Sequence, residues 1–136
     1  MIEITEQVEA ELRARNGSAV SSLEAGTTPP ITEESFEDGV CVLFVKHTTC
    51  GLTINENADP DVKTDMLGFF DRLIPQYDDH FRHFEHNSDA HIKSSLVGSS
   101  VTVPFENGKL CLGRWQGIYL CEFDGPRERE ILIKFL

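Results

Sequence analysis

The chain has 136 residues, 40% of them hydrophobic and 26% charged, a length and balance that suit one soluble globular domain. Its net charge of −11 argues against a nucleic-acid binder, which needs a basic face, and no apolar run approaches the roughly 20 residues that span a bilayer. The opening stretch MIEITEQVEAEL is acidic and amphipathic, unlike a signal or transit peptide, so the expected compartment is the cytoplasm.

In chain order, Thr5 is placed to cap a helix over about Glu6–Arg15, with Val8 and Leu12 on its buried stripe and Gly17 as its stop. Residues 16–38 are rich in Ser, Thr, Gly, Pro and Glu and have no hydrophobic period, which predicts a flexible surface insertion within a single domain spanning 1–136. Val40–Lys46 is a near-continuous β-favouring run and predicts a central strand. Leu52–Asn55 reads as a second, shorter strand. Asp59 then caps a helix that has Pro60 at its first position. Val62, Met66, Phe69, Phe70 and Leu73 recur at helical spacing, so one face of 60–73 is expected to pack on the sheet.

Residues 76–88 read as a polar loop. Ser88 or Asp89 caps a short helix over about Ala90–Val97, closed by Gly98, with Ile92 and Leu96 expected to face inward. The remainder is β. Ser99–Phe105 and Lys109–Leu112 flank Asn107-Gly108, a strong hairpin signal. Ile118–Phe123 and Ile131–Leu136 complete the set. Six or so hairpin-linked strands with two or three helices predict an α+β domain built on an antiparallel β-sandwich.

The four cysteines, Cys41, Cys50, Cys111 and Cys121, form no CxxC pair; they are expected to be reduced small hydrophobes, with Cys50 the exception to watch because it lies inside the His47 motif. Chemistry concentrates elsewhere. Four of the five histidines, His80, His83, His86 and His91, fall within twelve residues, a density that suits a divalent-metal site or acid/base groups. His47 with Thr48 and Thr49 suits an oxyanion or phosphate. Glu56 lies between Asn55 and Asn57 with no capping duty, which marks it as an acid/base or metal-facing carboxylate, whereas Asp59 and Asp61 are explained by the helix start. Arg114, Trp115 and Gln116 sit between two glycines, so Trp115 is either core filler or the flat wall of a pocket. Arg127 is either a turn residue or an anion clamp, and Lys93 either a solvated helix charge or a second such cation.

These motifs, HTTCGLTINENADPDV, NSDAHIKSSLVGSS and NGKLCLGRWQGIYLCEFDGPRER, occur in one order over about residues 40–136. Together they resemble the YjbQ-like family of small uncharacterised proteins, often labelled secondary thiamine-phosphate synthases. The resemblance implies a jelly-roll-like β-sandwich with packed helices, a homotrimer, and a site near the subunit boundary. It implies catalytic roles for His47, Glu56 and His91. Substrate contacts would come from Thr48, Thr49, Asn55, Asn57, Lys93, Trp115, Gln116 and Arg127. A divalent metal, zinc, would sit on His80, His91 and His47. The chain departs from the family pattern at Cys50, where alanine is usual, and at Arg114, where threonine is usual. Its 16–38 segment is longer than usual, and the usual first strand is missing.

Two functions of different class follow. One is a small enzyme joining a hydroxymethylpyrimidine diphosphate to a thiazole phosphate with loss of pyrophosphate. That reaction needs cations for the leaving group, here Arg127 and Lys93, and a flat wall, here Trp115. The other is a non-catalytic trimeric module that binds a metal or an anionic ligand. A purely structural role would instead tolerate alanine at His47, Glu56 and His91.

Overall fold

The computed structural model of the protein describes residues 1–18 and 37–136. Two antiparallel sheets face each other. The smaller has the order β1-β6-β3, with β1 at Ile2–Glu3, β6 at Gln116–Glu122 and β3 at Cys50–Glu56. The larger has the order β5-β4-β2-β7, with β5 at Lys109–Leu110, β4 at Ser100–Glu106, β2 at Gly39–Val45 and β7 at Ile131–Phe135. This is the expected α+β sandwich. The pleat sends alternate side chains to opposite faces, so β2 buries Cys41, Leu43 and Val45 while Phe44 stays exposed. These residues meet Leu52, Ile118 and Leu120 of the smaller sheet, and Val103, Phe105 and Phe135 of their own, in one core.

Helix α1, Thr5–Ser18, inserts Val8 and Leu12 into that core. Each such aliphatic side chain contributes about 2 kcal/mol by leaving water. The helix begins one residue earlier than the capping argument gives, because Thr5 has another use. Its Oγ1 accepts the N–H of Ile118 (2.9 Å), while Glu3 Oε1 accepts the Thr5 N–H (2.8 Å). Of the expected insertion, residues 19–36 lie outside the described residues, and 16–18 continue α1 past Gly17. Residues 37 and 38 are fastened to the β4–β5 turn: Gly108 N–H donates to Glu37 O and Asn107 N–H to Asp38 Oδ1. Asn107 and Gly108 both have positive φ, 51° and 69°, as a tight two-residue hairpin requires.

Strand β3 is longer than the sequence suggests. It pairs with β6 over seven residues, from Cys50↔Glu122 to Glu56↔Gln116. Its inner face carries Cys50, Leu52 and Ile54. Its outer face carries Gly51, Thr53 and Asn55, and there the other two helices dock.

Helix α2, Pro60–Leu73, starts as expected, with Asp59 accepting the Asp61 N–H. It rests on the sheet more lightly than expected. None of its residues is fully buried, Phe69 and Leu73 are exposed, and its contacts include Asn55 Nδ2 on Met66 Sδ and the Phe70–Phe123 ring edge.

Helix α3, Ser88–Val97, ends against β3, where Leu52 N–H donates to Gly98 O (2.9 Å). A side chain on Gly51 would come within 2.7 Å of that same oxygen, and Gly98 itself has φ 99°, a backbone only glycine adopts freely. The face α3 turns inward is the reverse of the one expected. Asp89, Ala90, Lys93 and Ser94 are buried, while Ile92 and Leu96 are exposed (39% and 62%). Pairing between charged groups, described below, explains how this helix can bury its polar side.

No helix among the described residues is long and apolar enough to cross a membrane. All four cysteines are free; Cys41, Cys50 and Cys121 are buried, but Cys111 is exposed beyond β5.

Candidate functional site

The order of β3 decides which candidate residues can meet. His47, Thr48 and Thr49 lead into its first residue, and Asn55, Glu56 and Asn57 form its end. The strand residues Cys50–Ile54 separate the two groups by about 20 Å, so they are distinct places in one chain.

At the first place, a hollow of about 870 Å³ is lined by Phe44–Thr48, Cys50 and the α3 residues His91, Ser94 and Ser95. The segment after β6 holds this corner in position. Arg129, with its side chain 7% exposed, forks onto the Glu122 carboxylate through Nε and through Nη2 (2.6 Å to Oε1). The same Nη2 donates to Thr49 Oγ1 (2.9 Å). The hydrogen bonds that Arg129 donates to Glu122 raise the Arg129 pKa above its ordinary value. Burial pushes the Glu122 carboxyl up, but Arg129 and the N–H groups of Asp124 and Phe123 outweigh it and hold the carboxyl below its ordinary value. One residue further, Glu130 donates its N–H to His47 Nε2 (2.9 Å), and its carboxylate pairs with Lys46. Cys50, buried beside the Arg129–Glu122 pair, has its thiol pKa raised by burial. Thr49 is therefore occupied as a structural acceptor, and Thr48 is exposed.

Above this corner lies the histidine-rich loop. A second hollow, lined by His80, His83, His91 and Ile92 among others, shares His91 with the first. His83 and His91 touch edge to face with ring centres 5.5 Å apart. His80 Nδ1 lies 2.8 Å from Asp78 Oδ1, but the His80 side chain is 94% exposed.

A zinc ion on His80, His91 and His47 does not fit one chain as it stands. His47 Nε2 already accepts the Glu130 N–H, and no three His, Cys, Asp or Glu among the described residues gather closely enough to hold a metal. The His80–Asp78 pair does have the carboxylate–imidazole form that favours a metal-binding Nε2.

Lys93 is buried (4% exposed) and donates to Asp89 (3.0 Å) and to Asp71 of α2 (2.8 Å). Burial alone would lower its pKa, but the two carboxylates outweigh this and raise it. Arg127 likewise turns back on Asp124, through Nε to its carbonyl and Nη2 to its carboxylate. Both expected anion clamps are thus engaged by carboxylates of their own chain. Asp124 also accepts from Asn87 Nδ2, which ties the loop to the start of α3.

At the second place, Asn55 folds onto the N–H of Glu56 and onto Met66. Asn57 lies across Gly117, where any side chain would come within 2.9 Å of it. The buried Tyr119 donates toward Asn57 Oδ1 (2.7 Å) and Glu56 O (3.0 Å). Gln116 Oε1 accepts the Gly113 N–H, so this side chain closes a turn. Trp115 is 53% exposed and so is not core filler, and Arg114 stacks on it at 4.7 Å. Glu56, Trp115, Arg114 and the amide nitrogen of Asn57 keep capacity here for a ligand.

Sequence reasoning missed Glu122, Arg129, Asp89 and Tyr119. A signal existed for three of them. Glu122 follows Ile118 and Leu120 in the inward phase of β6, and a carboxylate in a core phase demands a cation. Asp89 and Lys93 are four apart on one helix.

Comparison with known proteins gives a consistent result. The profile described as UPF0047 protein YjbQ-like matches residues 8–136. The UPF0047 protein YugU of Bacillus subtilis is 49% identical over 136 residues, covering 100% of this chain and 89% of that protein. A UPF0047 protein of Methanocaldococcus jannaschii is 56% identical over 106 residues, 78% of this chain and 76% of its own. Among solved structures, an uncharacterised conserved protein of the same family from Clostridium acetobutylicum superposes with a TM-score of 0.81 at 46% identity, covering 99% of this chain and 89% of that one. A conserved hypothetical protein from Thermus thermophilus gives 0.79 at 42% identity over 99% and 90%.

Proposed function

The chain belongs to the UPF0047, YjbQ-like family, and from that premise we propose that it works as a homotrimer binding a phosphorylated or otherwise anionic small molecule at the boundary between subunits. The observation that carries this reading is the splitting of the polar residues between the two ends of β3. A site using both sets needs the His47–His91 hollow of one chain beside the Glu56–Trp115 end of the next. The exposed apolar residues Ile92 and Leu96 of α3, and Phe69 and Leu73 of α2, supply surface for such a contact.

Light scattering should give three times the chain mass. Calorimetry should detect pyrophosphate binding that His47→Ala and Asn57→Ala each abolish. Mixing and reassembling these two variants should restore about a quarter of the sites, because some neighbours then combine an intact His47 with an intact Asn57. If no binding returns, the ligand lies within one chain and the shared-site reading fails.

Transfer of the thiamine-phosphate synthase type is the second reading, and Trp115 with Arg114 favours it. The indole offers a flat exposed face for a pyrimidine ring, and Arg114 has no carboxylate partner among the described residues. Arg114 takes the place Lys93 and Arg127 would have filled as the cation for pyrophosphate. Pyrophosphate release from a hydroxymethylpyrimidine diphosphate and a thiazole phosphate measures this. Arg114→Ala should cost roughly 100-fold if the guanidinium stabilises the leaving group. Ligand binding without turnover would leave the binding module alone standing. Metal analysis of the purified trimer tests a zinc ion completed across the boundary, which His80→Ala should remove.

A further inference from the structure

We propose that His47 is a neutral hydrogen-bond donor, presenting Nδ1–H to an oxygen of the bound anion, and that Arg129 is the positioning residue that fixes this tautomer. The ligand half of the inference rests on the anion reading above; the tautomer does not.

An imidazole nitrogen that accepts a hydrogen bond carries no proton. Glu130 N–H donates to His47 Nε2 at 2.9 Å, so the single proton of the neutral ring belongs on Nδ1. Protonating Nε2 would set two N–H groups against each other. Nδ1 has no hydrogen-bond partner among the described residues, and His47 lines the hollow beside α3. A second group there is also unsatisfied. Ser94 is 6% exposed and its Oγ has no partner, although a helical serine can bond back to the carbonyl four residues earlier. The open Nδ1–H and the buried, unsatisfied Ser94 Oγ belong to residues lining one hollow, and a ligand there can accept from the first and accept from or donate to the second. An oxygen of a phosphate or a carboxylate does both. Lys46 at the rim is already paired with Glu130, so recognition here is by hydrogen bonding and not by net charge.

The role of Arg129 follows from connectivity. Its fork on Glu122 and its bond to Thr49 clamp residue 129 to the mouth of the β3–β6 pair, where Cys50 lies opposite Glu122. The next amide, Glu130 N–H, is thereby aimed at His47. Without the clamp the amide is free to move, and Nε2 can take the proton. Arg129 then acts on the ligand only through His47, with no contact of its own.

The test is long-range ¹H–¹⁵N correlation on the full chain labelled with ¹⁵N-histidine. The wild-type spectrum should show His47 as the Nδ1–H tautomer, and Arg129→Gln should move it to Nε2–H or a mixture while the other four histidines keep their signals. Arg129→Lys, which keeps a charge for Glu122 and loses the fork, should fall between. Adding inorganic phosphate, and separately acetate, should shift the His47 Nδ1 signal in the wild type. The anion that moves it at the lower concentration identifies the oxygen source, and affinity should drop roughly tenfold in Arg129→Gln. An Nε2–H tautomer in the wild type overturns the proposal outright, whatever Arg129→Gln does to folding. A tautomer unchanged in a folded Arg129→Gln overturns the role of Arg129. A correct tautomer that neither anion perturbs overturns the ligand assignment and leaves the pyrophosphate experiment to judge the anion reading separately.

Discussion

Replacing Arg129 by methionine removes one partner of a buried ion pair and leaves the other in place. The side chains of Arg129 and Glu122 are 7% and 16% exposed, so Glu122 cannot recover its hydration by a small movement. Breaking such a pair costs about 3–5 kcal/mol. The lower end applies here, because the backbone N–H groups of Asp124 and Phe123 still face the carboxylate. About 3 kcal/mol corresponds to a fall in melting temperature of roughly 10 °C for a chain of this length. Urea denaturation at one fixed protein concentration should show a lower midpoint with an unchanged slope. The internal control is Lys46→Met, which breaks a pair exposed by 46% and 59% and should cost less than about 1 kcal/mol.

The pH dependence has a defined sign. Glu122 is held below its ordinary value of 4.5 in the folded state, so its contribution is complete above that value and is lost as pH falls through the folded pKa. Arg129→Met should therefore narrow its gap to the wild type as the solution is acidified below that range. The double variant Arg129→Met with Glu122→Leu should recover most of the lost stability, since no unpaired charge remains. An Arg129→Met loss no larger than that of Lys46→Met would refute the reasoning, and so would a gap that widens in acid.

Three further outcomes follow from the same coordinates. Lys93→Met strands the buried Asp89 and should cost about 3 kcal/mol, whereas Asp71→Ala, at a 73% exposed partner, should cost under about 1 kcal/mol by denaturant midpoint. Gly117→Ala forces a methyl within 2.9 Å of Asn57 and should cost about 1–3 kcal/mol while weakening pyrophosphate binding. Ile92→Ser with Leu96→Ser should shift light scattering from trimer toward monomer and leave far-UV circular dichroism unchanged, because both side chains are exposed within one chain.

The fold was legible where a local rule acts alone. The Asn107-Gly108 hairpin, the Asp59-Pro60 helix start and the β2 run each depend on residues within a few positions of each other, and each forms as read. The misreadings share a cause: a distant partner outbids the local signal. Thr5 is a sound cap by type, but its hydroxyl goes to Ile118, 113 residues away. Strand β3 looked short because Gly51 and Glu56, at either end of its apolar run, are poor strand residues. Pairing with β6 at every position makes them strand all the same.

Helix α3 shows why the site was harder to read than the fold. Apolar periodicity assigns Ile92 and Leu96 to the core, on the assumption that burial favours the apolar face. In this chain Lys93 is buried between Asp89 and Asp71, so the polar face is satisfied inside and the apolar face is left outside. That inversion costs desolvation that a leucine stripe would avoid. A helix that accepts the cost in the absence of a ligand or partner would be a poor design for stability alone. It is a reasonable one if the exposed stripe meets a second subunit and the buried charges hold His91 and Ser94 rigidly over the His47 hollow. The same argument applies to the segment after β6, where Glu122 and Arg129 occupy interior space to fix Thr49 and the amide that meets His47. In both places the sequence spends buried charge on holding a neighbouring polar group still. Looking for a cation near each carboxylate in a core phase finds Lys93 for Asp89, but for Glu122 it does not choose between Arg127 and Arg129, and only the fold makes that choice.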